Sequence, residues 1–352
     1  MKKKKIRDAG IVANANRIIR FLKRKGKSLS PFLILMHDFP DPDALASAFA
    51  LQYLARKECG IVSKIAYGGL IGRTENRTMV KILKIPAYKL RAGDLESGVN
   101  IATVDTQPEF KNNSFPKGRR AALVIDQHSS DHLPAADLAV IDTQCGATSV
   151  ILAQCLFLSK IRIPVRLATA LAYGILSDTQ DFFRCSHPNV LQTYLMTLEH
   201  SDLRLLARIR NPPRSAEFFT TLGKGIRNAV VGGQLMVSNL GDVLSPDRVS
   251  QTADFLLPYR GVSWSFCMGR YKDDLYFSIR GTCADFQAGE VLRAICENRG
   301  QAGGHDTIAG GSIRVGKSSS VSVWEKTEKV LVERLIKRLR IPPKSCFYHP
   351  FR

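Results

Sequence analysis

Nothing in this 352-residue sequence approaches the roughly 20 consecutive apolar residues that a membrane-spanning helix needs. Its basic start, MKKKKIRDAG, is not followed by the long apolar segment of a secretory leader, so a cytoplasmic protein is expected. Cysteine is sparse and scattered. The eight residues at 59, 145, 155, 185, 267, 283, 296 and 346 include no Cys-x-x-Cys pair and no compact spacing. That excludes a zinc-finger pattern and a disulfide framework, and leaves reduced, mostly buried thiols. Acidic residues are outnumbered, 31 against 51 basic ones, for a formal charge of +20. Such a surface attracts polyanions: nucleotides, nucleic acid or an acidic membrane surface. Tandem repeats and low-complexity tracts are also missing.

What is present is enough apolar residue, 45% of the chain, for a substantial core, and a length that suits two domains better than one. Basic residues concentrate in MKKKK, RFLKRKGK and RLIKRLR, which serve equally as solvated helix faces or polyanion contacts. Residues 6–25 place Ile11, Ala15, Ile18, Ile19 and Leu22 at helical spacing, predicting an amphipathic helix ended by Gly26. The run FLILM reads as a strand, and DALASAFALQYLARKECG as a helix capped by Asp43 and closed by Gly60. Further apolar runs follow in IVSKIAY, VNIATV, AALVI and LAYGILS, although RLATALAYGIL can equally form a buried helix. This alternation predicts an α/β protein: a mostly parallel sheet with helices on both faces.

Beyond residue 200 the texture changes. IRNPPRS at 209–215 marks a turn or linker, WSFCMGRYKDDLYFSIRG alternates with a hairpin signal at Lys272 to Asp274, and ADFQAGEVLRAICENRG and VWEKTEKVLVERLIKRLR read as helices. The expected layout is a first domain over 1–205, a linker over 206–220, and a smaller C-terminal α/β domain over 221–352 lying across a metal-containing crevice.

Four of the apolar runs are followed by metal-capable residues: FLILM by His37, VNIATV by Asp105, AALVI by Asp126, and LAYGILS by Asp178. A single Asp in such a place is commonly a cap or turn residue. In open α/β sheets, however, the carboxyl ends of the strands share one crevice, so these residues can converge there with Asp41 and Asp43. Clustered carboxylates repel each other and resist burial unless cations neutralise them. Mixed carboxylate and imidazole donors suit manganese better than calcium, and zinc sites have fewer carboxylates. A metal pair about 3.5–4 Å apart activates water for in-line attack on phosphorus. In the second domain GQAGGHDTIAGG, Gly300 to Gly311, is either a flexible turn or a phosphate cradle in which His305 contacts the phosphate or leaving group.

The ordered motifs HDFPDPDALAS, VDTQP, DQHSS, GILSDTQDFF and AGGHDTIAG resemble those of the DHH phosphoesterase superfamily along almost the whole chain. The resemblance is to the two-domain group of nano-RNase-like oligoribonucleases and nucleotide phosphatases with a DHH-associated C-terminal domain. It implies two Mn2+ ions, one on His37 and Asp41, the other on Asp43 and Asp178, with Asp105 bridging. His128 and His305 would meet the substrate phosphate, with Asp126 beside them in the catalytic set. Gly303, Gly304 and Arg280 would bind substrate. Thr148 and Ser149 supply either phosphate contacts or a helix cap, and Arg73, Asn76 and Arg77 either recognise phosphate or base or pair on a helix surface.

One residue departs from the family pattern. The name-giving Asp-His-His reads Asp126-Gln127-His128, placing a neutral amide where an imidazole ligand of the second metal is expected and weakening that site. His132 is a candidate replacement, while His187, His200 and His349 carry no metal motif. The resemblance implies hydrolysis of short oligoribonucleotides of dinucleotide length and of 3′-phosphoadenosine 5′-phosphate, with a homodimer as assembly. The alternatives are cyclic-dinucleotide hydrolysis, a metal-impaired nucleotide- or RNA-binding homologue, and an exopolyphosphatase or pyrophosphatase.

Overall fold

The computed structural model describes residues 9–183, 185, 187–282, 287–297, 299–305, 307–316, 319–342 and 347–352. Two compact units divide between Pro212 and Pro213. The first contains α1 (Ala9–Lys25), β1 (Phe32–Leu35), α2 (Pro42–Cys59), β2 (Ser63–Tyr67), α3 (Thr74–Leu83), β3 (Ala87–Lys89), β4 (Asn100–Val104), β5 (Ala121–Asp126), β6 (Ala136–Ile141), α4 (Thr148–Leu158), α5 (Val165–Asp178), α6 (Pro188–Leu198) and α7 (Leu203–Arg210).

All strand pairs of the first sheet are parallel, in the order β3-β2-β1-β4-β5-β6. The chain builds outward from β1 to β3, then returns to β1's other edge as β4. The carboxyl ends of β1 and β4 therefore flank the point where the winding reverses, which is where open α/β sheets leave a crevice. Two-residue alternation sorts the side chains. Phe32, Ile34 and Met36 enter the main core with the helices, whereas Leu33 and Leu35 enter a smaller cluster on the other face. Helical cover is concentrated on the first face. The opposite face is covered by Phe115 and by Tyr88, Leu90 and Leu95 from β3 and the segments around it, the last residue ending a short 3-10 helix, Ala92–Leu95.

LAYGILS is not a strand. It belongs to α5, whose residues from Leu167 to Leu176 are buried, and a helix enclosed on all sides carries the same unbroken apolar run as a buried strand. Helix α2 also starts differently from its reading: Asp41, not Asp43, is its N-cap and accepts a hydrogen bond from the Ala44 N–H at 3.0 Å. Pro42 takes the first helical position, where its missing N–H costs nothing.

The second unit contains α8 (Ala216–Arg227), β7 (Val230–Gly232), β8 (Leu235–Asp242), α9 (Asp247–Leu256), β9 (Trp264–Tyr271), β10 (Asp274–Gly281), α10 (Ala288–Cys296), β11 (Gly300–His305), β12 (Ile308–Arg314) and α11 (Val321–Arg338). Its strand order is β11-β12-β10-β9-β8-β7, with β8 and β9 parallel and the other pairs antiparallel. β9 and β10 form the hairpin expected at Lys272 to Asp274, with Lys272 left-handed at φ 57°. One face packs on α9 and the other on α10 and α11. The segment read as a linker, 206–220, holds the end of α7 and the start of α8, so only residues 211–215 are outside helices.

The first unit's helices meet closely at Gly174 in α5. A Cβ there would come 2.5 Å from the Ser149 hydroxyl, 3.1 Å from the Ala46 Cβ and 3.2 Å from the Pro42 carbonyl oxygen. Replacing Gly174 with Val must therefore separate α5 from the start of α2 and of α4, and an overpacked site of this kind costs about 1–3 kcal/mol. Urea denaturation should show this loss, together with weaker metal binding because α2 carries Asp41 and Asp43.

Candidate metal centre

Of the six sequence-predicted ligands, His37, Asp41, Asp43 and Asp178 lie around Asp105, which follows β4. His37 follows β1, and its Nε2 lies 3.9 Å from both Asp41 Oδ1 and Asp105 Oδ2. His37, Asp41 and Asp105 offer donor atoms that all lie within 4.8 Å of one another, and so do Asp105, Asp126 and His128. Asp105 belongs to both triplets. It is 3% exposed and adopts φ 58°, a left-handed conformation that is unfavourable for a residue with a Cβ. Its N–H donates to the Ile125 carbonyl at 2.9 Å and its Oδ1 accepts from the Thr148 hydroxyl at 2.9 Å. The strained turn aims the carboxylate back over the strand ends.

Asp43 is fully buried in the first turn of α2 and caps a different helix. Its two carboxylate oxygens accept the N–H groups of Thr148, at 2.7 Å, and Ser149, at 2.8 Å, at the start of α4. Thr148 and Ser149 are themselves fully buried. Of the two roles considered for them, phosphate contact or helix start, these bonds belong to the second: they hold Asp43 and Asp105 in place, and the N-terminus of α4 supplies the partial positive charge that an anion favours.

Asp126 is likewise fully buried, and it positions His128. Its Oδ1 lies 2.8 Å from His128 Nδ1 and accepts the Gln127 N–H at 2.9 Å. Oδ2 accepts from Gln107 Nε2 at 2.8 Å, and the same amide donates to the His128 carbonyl at 2.8 Å. Gln107, fully buried, went unnoticed in the sequence; its place two residues after Asp105 in VDTQP was the available signal. Asn76, also considered as a ligand contact, is 5% exposed and donates to the Pro40 carbonyl at 3.2 Å, tying α3 to the His37 loop.

The charges explain what this arrangement requires. Burial, then the neighbouring charges of Asp178 and Asp41, push the Asp43 carboxyl up to about 7. Burial and the charges of Asp43, Asp41, Asp178 and Asp126 hold Asp105 well above the ordinary carboxylate range. For Asp41, loss of hydration acts upward but is outweighed by the His37 hydrogen bond and charge, by the Ala44 N–H and by the charge of His128, which bring it to about 2. Burial opposes the charged form of His128, yet its hydrogen bond to Asp126 and the charges of Asp126, Asp178 and Asp41 lift it to about 9. Carboxylates pushed up by one another mark uncompensated negative charge, and oxygen and imidazole donors grouped this closely fit divalent metal ions.

Residues 31–175 match the DHH family, N-terminal domain, and residues 232–339 match the DHHA1 domain. The chain belongs to the DHH family. A relative, the uncharacterized protein MJ1633 of Methanocaldococcus jannaschii, is 33% identical over 327 residues, which are 92% of this chain and 66% of that protein. The chain thus spans slightly less than two thirds of its relative's length. Among solved structures, an exopolyphosphatase-related protein from Bacteroides fragilis shares the fold, with a TM-score of 0.70 at 14% identity over 94% of this chain and 97% of that one. Exonuclease RecJ bound to manganese aligns with a TM-score of 0.48 at 15% identity, over 95% of this chain and 97% of the other.

Gln127 stands where the DHH motif has its first histidine, and its Nε2 donates to Asp178 Oδ2. The amide donor occupies a lone pair of Asp178, where an imidazole nitrogen would instead offer a lone pair to a metal. Asp178 is at the end of α5, not of a strand. His132 is exposed and tied through its backbone to Ser130, so it lies outside both donor triplets.

In the second unit Arg280 is 4% exposed, with its guanidinium donating to Asp254, the Ser278 hydroxyl and the carbonyls of Ile279 and Ala309. These contacts give the arginine a structural anchorage that its expected substrate-binding role did not anticipate. Gly303 and Gly304 are exposed on β11. His305 ends that strand opposite Ile308, and its side chain lies outside the described residues. Of the remaining histidines, His187 accepts from the Asn189 N–H as the cap of α6, His200 stacks near Phe157, and His349 meets the Ala229 carbonyl.

The sign of the pH dependence follows. Asp43 and Asp105 bind protons more tightly in the folded, metal-free protein than in the unfolded chain, so their contribution to stability is greatest below about pH 4 and is lost as pH rises through about 7. His128 acts in the same direction up to about 9. Thermal unfolding in chelator should therefore show a melting temperature that falls from pH 5 to pH 8, within about those limits. Added Mn2+ should restore stability, and restore more of it at the higher pH.

Proposed function

We propose that this DHH-family chain is a manganese-dependent cytoplasmic phosphoesterase that hydrolyses RNA of dinucleotide length, with 3′-phosphoadenosine 5′-phosphate as a further substrate. The observation that carries the reading is Asp105, a buried carboxylate grouped with His37 and Asp41 on one side and close enough to Asp43 and Asp178 to feel their charges on the other. His37, Asp41 and Asp105 would hold one ion; Asp105, Asp43 and Asp178, with Gln127 as a poor fourth donor, would hold the other. Bound ions of this kind acidify water and withdraw charge from a phosphoryl group.

The chain's own residues supply the rest. Asp126 fixes the His128 ring through Nδ1 and, in the metal-free site, helps to raise its pKa above the ordinary histidine value, so the part-exposed ring is oriented to hydrogen-bond a phosphate oxygen. Gln107 holds the Asp126 carboxylate and the His128 backbone together. Thr148 orients Asp105, and the α4 N-terminus orients Asp43. The formal charge of +20 favours a polyanionic substrate.

A second reading, a nucleotide-binding homologue without turnover, is favoured by one specific contact, the Gln127 amide on Asp178. Mn2+-dependent cleavage of a 5′-labelled RNA dinucleotide by wild type, Asp105→Ala and Gln127→His separates the two. Cleavage by wild type, reduced about a thousandfold or more in Asp105→Ala, is expected. In Gln127→His half-maximal activity should need about tenfold less Mn2+. Activity found only in Gln127→His would make the natural protein a binder, and inactivity of all three would remove RNA from its substrates.

Replacing Gln107 with Leu tests the positioning of His128. The variant frees one Asp126 oxygen from its donor, and leaving a buried charged acceptor unmade costs about 1–3 kcal/mol. NMR titration of the His128 ring should show a changed pKa, and kcat should fall more than KM rises.

A further inference from the structure

A hollow of about 370 Å3 opens beside the metal loop, at the carboxyl ends of β2 and β3. Tyr67 and Lys89, the last residues of those two strands, are paired across the sheet. Parallel strands bring this edge to the same side of the sheet as His37. Ile71 and Val80 line the apolar part, and Arg77, Lys81 and Lys89 bring three cations to a lining that contains no carboxylate. Arg77 is engaged in the loop itself, donating to the carbonyls of Ile71 and Gly72 and to the Thr74 hydroxyl. Lys81 and Lys89 are exposed. Three like charges around one concavity repel one another, and an anion relieves that repulsion.

The hollow is physically continuous with the metal loop. The N–H of Gly69, a lining residue, donates to the carbonyl of Asp38, next to His37, at 2.9 Å. A Cβ on Gly69 would meet that carbonyl oxygen at 2.3 Å, so only glycine permits the approach. The same Cβ would be 3.2 Å from the ring of Phe39, which is 65% exposed. An exposed aromatic ring thus stands beside Gly69, at the edge of the cationic hollow. A larger hollow of about 660 Å3 lies toward the other end of α4, and Glu199 lines it together with Lys160 and Arg162. Glu199 offsets one of its two cations.

We infer that the 370 Å3 hollow binds the nucleotide adjoining the scissile phosphate, Lys81 and Lys89 taking its phosphate and Phe39 its base. This rests on the nucleic-acid reading of the neighbouring centre. A volume of this size is within the range of small-ligand pockets. Stacking on an exposed ring beside a positive groove is how single strands are held without dependence on base identity.

Binding of a 5′-phosphorylated RNA dinucleotide carrying a 3′ fluorophore, followed by anisotropy in chelator so that nothing is cleaved, tests it. Lys81→Glu combined with Lys89→Glu should weaken binding about tenfold or more and lower the salt-dependence slope by about two. Phe39→Ala should weaken it by a smaller factor. Arg56→Glu with Lys57→Glu makes the same charge change at the far end of α2, about 20 Å along the helix, and should alter affinity by about twofold at most. Equal effects of the two double variants, no effect of either, or no measurable binding by wild type would each overturn the inference. Hydrolysis is read separately: a cleaving enzyme indifferent to Lys81 and Lys89 would leave the phosphoesterase reading intact, whereas selective binding without cleavage would retain the hollow and discard the catalytic reading.

Discussion

Buried negative charge is the constraint on which this structure depends. Asp43, Asp105 and Asp126 are 3% exposed or less; Asp43 and Asp105 feel the charges of Asp41 and Asp178, and Asp105 that of Asp126 as well. Each is held by donors from elsewhere in the fold: the α4 N-terminus for Asp43, the Thr148 hydroxyl for Asp105, Gln107 for Asp126. These donors orient the oxygens without neutralising them. The remaining charge favours protons or cations, and this preference links folding, metal binding and pH in one site.

Backbone geometry makes that crowding possible. The reversal of winding between β1 and β4 brings the two strand ends together, and the left-handed turn at Asp105 directs its side chain into the gap. Gly174 lets α5, which carries Asp178, settle against the start of α2 and α4, while Gly69 lets the loop after β2 touch the His37 loop. Asn76 adds α3 to the same loop through Pro40. The His37 loop is thus tied to the loop after β2 and to α3, and a hollow with three cations adjoins it.

Much of this was legible in the chain. The strand–loop–helix alternation, the parallel sheet, the hairpin at Lys272 and the convergence of His37, Asp41 and Asp105 all follow from local pattern. LAYGILS did not declare its state, because an apolar run reads alike in a buried strand and a buried helix. Asp43 looked like the cap of its own helix, whereas it caps α4, more than a hundred residues away. Thr148 and Ser149 read as phosphate contacts or as a helix cap, because a hydroxyl near a helix start serves ligands and carboxylates equally well. Gln107 carried no motif of its own, since a glutamine becomes informative only once its two partners are known.

The sequence by itself determined the class of fold, the ordered motifs of the DHH family and the unusual glutamine at position 127, because these depend on residue type, spacing and period. Only the tertiary structure decided which donors meet which carboxylates, that the Gln127 amide faces Asp178, that Arg280 is pinned by Asp254, and that Tyr67, Lys81 and Lys89 surround one hollow. Those are contacts between residues distant along the chain, or directions taken by flexible side chains. They are settled by packing and by the need to satisfy every buried polar group, which no local pattern encodes.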